Sequence, residues 1–177
     1  ARNMEPENYH EHYTEEPVLL ENVPAVFLQP TPITTTKTRA ECGLPDNGET
    51  LYSCPMYPFR IHLDMDKIFA QIMQEDPKAH IILFEHSFQT IWPDLLRKRF
   101  AHSMPSELLE RIHFQPFQPR EDYITTLKHI GAVLDPLHFG MGTTIYNLTA
   151  DNIPVVTLPG QFMRDRITSR VYDMMGI

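Results

Sequence analysis

From Thr50 onward the chain alternates short apolar runs with longer amphipathic segments, and this alternation constrains the fold more than any other feature. The apolar runs are Thr50 to Cys54, His80 to Phe84, Arg111 to Phe114, Gly131 to Asp135 and Val155 to Leu158. His80-Ile81-Ile82-Leu83-Phe84 is the clearest, because a run without polar alternation is what a strand covered on both faces requires. Between the runs, Asp64 to Gln74 carries Met65, Ile68, Phe69, Ile72 and Met73 at helical spacing. Pro93 to His102, Glu121 to Ile130 and Thr143 to Asp151 are the other predicted helices. Strands separated by helices predict an α/β fold: a Rossmann-like parallel sheet with helices on both faces.

The residues before Thr50 read differently. Ala1 to Glu16 is polar and acidic, and Val18 to Leu20 and Val26 to Leu28 are short apolar patches with strand character. The stretch Pro30 to Thr38 is rich in Pro and Thr, a composition that favours extended backbone. The division expected is 1–38, a tail with its linker, and 39–177, the α/β lobe.

Composition narrows the function. A formal charge of −8, from 23 acidic against 15 Lys and Arg, lacks the basic footprint of a general nucleic-acid binder. No run approaches the roughly 20 apolar residues of a membrane span, and no signal peptide opens the sequence, so the expected compartment is the cytoplasm. Two cysteines are too few for a disulfide scaffold. The nine histidines show no metal-ligand spacing, so no metal is expected. His80 and His113 are read as packed strand positions. Without an initiator Met, the sequence reads as a piece of a longer chain. Sixteen prolines against seven glycines argue for stiff connections, and Pro116, Pro119, Pro136, Pro154 and Pro159 lie beside the strand-end loops.

In open α/β sheets, ligands bind beyond the carboxyl ends of the strands. The loops after Cys54, Phe114, Asp135 and Leu158 are therefore the candidates. The third runs Pro136 to Gly142 into Thr143-Thr144. Glycines there allow close approach of backbone to a ligand, and hydroxyls with free N–H groups at a helix start suit an anion. The bland alternative is a Thr helix cap. The loop after Phe114 ends in Arg120, at a helix start where the macrodipole gives no reason for a cation. Either a ligand phosphate or a neighbouring carboxylate accounts for it. Tyr123 offers a stacking face one turn later. Arg60, in the loop after Cys54, supplies another cation, and Arg164, Arg166 and Arg170 lie in the last segment.

These loops resemble the C-terminal catalytic lobe of the O-linked N-acetylglucosamine transferases, including SPINDLY-type proteins and bacterial TPR-glycosyltransferases. The family's Phe-x-Pro-x-x-Pro-Lys-Glu loop is matched by Phe114 to Glu121. Its Leu-Asp segment leading to Gly-His-Thr-Thr is matched by Leu134-Asp135 through Met141-Gly142-Thr143-Thr144. Its Gly-Thr-Pro-x-Val-Thr-x-Pro-Gly segment is matched by Asn152 to Gly160, with Asp165-Arg166 following. Tyr9 to Pro30 and Gly43-Leu44-Pro45 resemble the segments that join the lobes and open the second.

The resemblance implies a GT-B arrangement in which this lobe binds a nucleotide sugar, UDP-GlcNAc or another UDP-sugar, as donor substrate without cofactor or metal. The sugar would pass to a Ser or Thr of a protein acceptor, held by an N-terminal lobe and TPR repeats outside this sequence, so the piece alone is expected to be inactive. By the same resemblance, Arg60 is the catalytic cation that neutralises the leaving diphosphate. Arg120 replaces a lysine near the nucleotide, Tyr123 a histidine stacked on the base, and the Gln118 backbone faces the base. Thr143 and Thr144 hold the diphosphate, and Asn147 replaces an aspartate on the ribose. Gly142 departs from the family, which has a histidine there. Two alternatives stand beside this reading: a pseudo-enzyme or interaction module retaining the fold, and a phosphosugar-processing enzyme such as an epimerase.

Overall fold

The computed structural model describes residues 2–22, 28, 30–88 and 90–177. Five strands, β1 (Thr50–Ser53), β2 (Ala79–Phe84), β3 (Ile112–Gln115), β4 (Ala132–Leu134) and β5 (Val155–Val156), form one sheet. Every pairing is parallel, and the spatial order is β3-β2-β1-β4-β5. The chain winds outward from β1 to β3, crosses back, and winds the other way through β4 to β5. With right-handed crossovers, that reversal places helices on opposite faces. Burial agrees: Ile81, Ile82 and Leu83 are consecutive and fully buried, which requires both faces of β2 to be covered.

The helices are α1 (Asp64–Glu75), α2 (Ile91–Ser103), α3 (Ser106–Leu109), α4 (Arg120–Leu127), α5 (Thr144–Ala150) and α6 (Ile167–Met175). In α1, Met65, Phe69 and Met73 recur every fourth residue and face the sheet. Phe69 meets Phe100 of α2 edge-on, with ring centroids 6.2 Å apart. The C-terminal carbonyls of α1 are satisfied from outside: Arg111 donates to the carbonyls of Met73, Asp76, Pro77 and Ala79. A buried ion pair joins α1 to α2, with Arg99 bidentate on Asp66 at 2.7 and 3.0 Å.

Several boundaries differ from the sequence expectation. Strand β5 has only two residues and stops before Leu158. Its first residue is held at the edge by Tyr172, whose hydroxyl accepts from the Val155 N–H at 2.7 Å and donates to its carbonyl at 2.8 Å. Helix α3 lies in a stretch that carries no helical period, because it is one turn started by Pro105. Val18 to Leu20 forms no strand, and Val26 and Phe27 lie outside the described residues. His80 and His113 are half-buried rather than core, and bond to each other at 2.8 Å.

The Pro/Thr stretch runs along α4. Lys128 donates to the Ile33 carbonyl, Lys37 pairs with Asp122, and His129 bonds the Lys37 carbonyl. Nearer the N-terminus, Met4 is buried, and Arg170 of α6 donates to the Glu21 carbonyl. Among the described residues no helix is long and apolar enough to cross a membrane.

Candidate functional site

The strand order reverses between β1 and β4, so the loops that leave them diverge and open a crevice at the carboxyl end of the sheet. A cavity of about 540 Å³ occupies that point. Its lining includes Arg60, Gln118, Arg120, Tyr123, Gly142, Thr143 and Thr144. Seven of the sequence-predicted positions, drawn from three separate loops, thus converge. Asn147 does not join the lining; it sits one turn further along α5, half-buried.

The β4–α5 loop is shaped by Asp135. This buried carboxylate accepts the Met141 N–H at 2.6 Å on one oxygen and the Thr157 hydroxyl at 2.8 Å on the other. Gly140 lies against it: a Cβ there would come within 3.1 Å of an Asp135 oxygen and 3.2 Å of the Arg164 carbonyl. Glycine is required at 140 by close approach, not by dihedral angle. At Gly142, by contrast, a Cβ would meet nothing within 4 Å. The absent histidine of the family pattern therefore leaves open space.

Arg60 lies between the β1 loop and the β4 loop. Its Nη2 donates to the carbonyls of Phe139 at 3.2 Å and Gly140 at 2.8 Å, and its guanidinium stacks 4.4 Å from the Phe139 ring centroid. Burial draws its pKa below the usual arginine value, while the nearby Asp135 acts in the opposite direction. Nε and Nη1 have no partner among the described residues, so they remain available to the cavity.

Arg120 is the first residue of α4, exposed, and makes no ion pair or hydrogen bond among the described residues. The neighbouring Asp122 pairs with Lys37 instead. Thr143 occupies the cap position of α5, yet its side chain makes no capping bond. The Thr cap reading thus fails for the hydroxyl, which is free, as is that of Thr144.

Tyr123 presents its ring at the cavity edge-on to Phe84, at 4.9 Å, and its hydroxyl donates to the Pro55 carbonyl at 3.2 Å. Burial pushes that hydroxyl's pKa far up, so it remains protonated. Gln118 is held by its side chain, accepting from Thr126 at 3.0 Å and donating to Gln115 at 3.4 Å. Gln118 lines the cavity.

Sequence reasoning missed the loop after β2. Glu85 and His86 line the cavity, with Tyr57 edge-on to His86 at 4.5 Å and Phe117 on its other side at 6.3 Å. The strand-end rule, applied to Phe84 as well, would have found them. The loop after Leu158, conversely, lines a smaller neighbouring hollow of about 170 Å³ with Asp135, His138 and Asp165. Arg166 and Arg164 there donate to the carbonyls of Gly160 and His138, which explains them structurally. Cys42 and Cys54 are buried free thiols, and burial pushes Cys54 up to about 12, which removes it as a nucleophile.

No family model and no curated protein matches the sequence. The fold does match a solved structure, that of a lysine-to-methionine variant of the O-GlcNAc transferase of Thermobaculum terrenum. The TM-score is 0.75 at 25% identity, over 98% of this chain and 32% of that one. The chain therefore has a glycosyltransferase-like, Rossmann-like fold and spans about a third of the length of the transferase it resembles.

Proposed function

We propose that this chain is the nucleotide-sugar-binding lobe of a protein O-glycosyltransferase, with a UDP-sugar such as UDP-GlcNAc as donor. The observation that carries the reading is that the unpaired Arg120 lines one cavity with Arg60 and with Thr143 and Thr144, whose hydroxyls are free. In a chain of net charge −8, two cations with donors to spare in the same cleft favour an anionic ligand. The aromatic wall of Tyr57, His86, Phe117 and Tyr123 suits a base beside that anion.

In the transfer proposed, the bond between the sugar anomeric carbon and the diphosphate oxygen breaks as one forms to a Ser or Thr hydroxyl oxygen. The diphosphate takes the electron pair. Arg60, Arg120 and the threonine hydroxyls would offset the charge that develops there. The acceptor hydroxyl proton would pass to a base outside this chain; that base, any TPR repeats and the surface that binds the acceptor protein would belong to the rest of a longer enzyme, and with them the full activity. The cytoplasm is the proposed compartment.

Calorimetric titration of the folded chain with UDP, UDP-GlcNAc, UDP-glucose and GDP-sugars tests this. Saturable binding of a UDP compound is expected; a folded sample that binds none of them overturns it. The rival is a non-catalytic module that kept the fold, favoured by the open space at Gly142 and by Asn147 lying outside the cavity lining. That module would give the flat titration.

A further inference from the structure

His62, Asp64 and His138 are not used by the proposed donor site, yet the fold brings them together on its rim. Their ligand atoms all lie within 4.8 Å of one another. His138 Nε2 is 2.8 Å from Asp64 Oδ2, and His62 Nδ1 is 3.3 Å from the same oxygen. The two imidazole rings stand nearly perpendicular, with centroids 4.7 Å apart. We propose that these three residues bind a divalent transition-metal ion of the zinc class, and that the ion ties the β4–α5 loop to the start of α1.

The donor set decides the class of ion. Two imidazoles with one carboxylate suit Zn²⁺, Co²⁺ or Ni²⁺, whereas Mg²⁺ and Ca²⁺ take oxygen ligands. Spacing supports the same ion. Metal–ligand bonds of about 2.0–2.1 Å at tetrahedral angles put ligand atoms about 3.3 Å apart. Of the three pairs, one already has that separation, one needs to open by a fraction of an ångström, and the third, between the two imidazoles, lies within 4.8 Å. His62 Nδ1 accepts the Asp64 backbone N–H in a long bond of 3.3 Å, and an ion would take over that lone pair.

All three side chains are at least one-third exposed, so an ion has an open path and keeps water in its remaining position. His138 is 74 residues from Asp64 in the chain and precedes Phe139, whose carbonyl is held by Arg60. Its own carbonyl accepts from Arg164 at 3.1 Å. An ion here would therefore fix the loop that also carries Gly142 and Thr143.

The test uses the tag-free chain, stripped with chelator and titrated with zinc chloride by calorimetry, with Co²⁺ absorption as a second readout. A single ion per chain and a Co²⁺ visible spectrum of a low-coordinate nitrogen–oxygen site are expected. His138→Ala and Asp64→Asn should each weaken zinc binding by at least about tenfold, while His10→Ala/His12→Ala leaves it unchanged. Equal affinity in all these variants, or loss only with His10 and His12, overturns the site. Nucleotide binding is measured separately in the metal-free chain, so failure of either proposal is recognised without the other.

Discussion

The carboxylate of Asp135 accepts the backbone N–H of Met141 at 2.6 Å, six residues along the chain. One side chain at the end of β4 thereby fixes the curvature of the whole loop that leads to Thr143. Because the second oxygen holds Thr157 at 2.8 Å, the same group also anchors the loop after β5.

Asp135→Ala should cost about 1–3 kcal/mol, since it strands two donors at a buried position. Urea denaturation monitors the stability, and nucleotide affinity should fall with it. An unchanged midpoint with unchanged slope would refute the anchoring role.

Arg120→Ala should leave stability within about 0.5 kcal/mol, because an exposed, unpaired side chain contributes little to the folded state. Loss of a charge-assisted contact to a phosphate should cost about 1.5–3 kcal/mol of affinity, roughly tenfold or more. Calorimetry with UDP against the unsubstituted chain separates the two effects. Thr143→Ala is expected to follow the same pattern with a smaller loss.

Two glycines in one loop should respond in opposite ways. Gly140→Ala places a methyl group 3.1 Å from an Asp135 oxygen and should destabilise the chain by about 1–3 kcal/mol. Gly142→His enters open space, so its melting temperature should stay near that of the parent. If the donor-site reading holds, the added ring should also tighten UDP-sugar binding.

The His80–His113 pair predicts a pH dependence. Burial holds both imidazoles below their usual value of 6.5, and Glu49 only partly offsets this for His80. The unfolded chain therefore binds protons that the native pair resists, so this contribution to stability is present above about pH 6.5 and is lost as pH falls below it. His113→Phe should flatten that slope in denaturation curves recorded between about pH 5 and 8. An unaltered slope would show that the pair is not its source.

The strands were legible because a parallel sheet covered on both faces writes itself as unbroken apolar runs, as at Ile81 to Leu83. The short edge strand was overextended, since the apolar Val156 and Leu158 are exposed there rather than paired inward. Seven positions of the cavity lining were legible because all lie in strand-end loops or in the first turn of the following helix. Asp135 was noted only as part of a motif; its two buried hydrogen bonds are tertiary facts without a local signal. The His62–Asp64–His138 cluster was invisible for the same reason, as 74 residues separate two of its members.

Arg60 holds the Phe139 and Gly140 carbonyls through Nη2, Nε and Nη1 have no hydrogen bond among the described residues, and the side chain lines the cleft. If the proposed donor site holds, one guanidinium sets both the loop's order and the anion's reception. Lysine at position 60 would keep the charge but gather its three donors on one compact ammonium, so the donor left over after the two carbonyls would sit at the same point instead of on a separate arm of a planar fork. Any measured change in affinity on Arg60→Lys reports, in part, how tightly the loop is drawn shut.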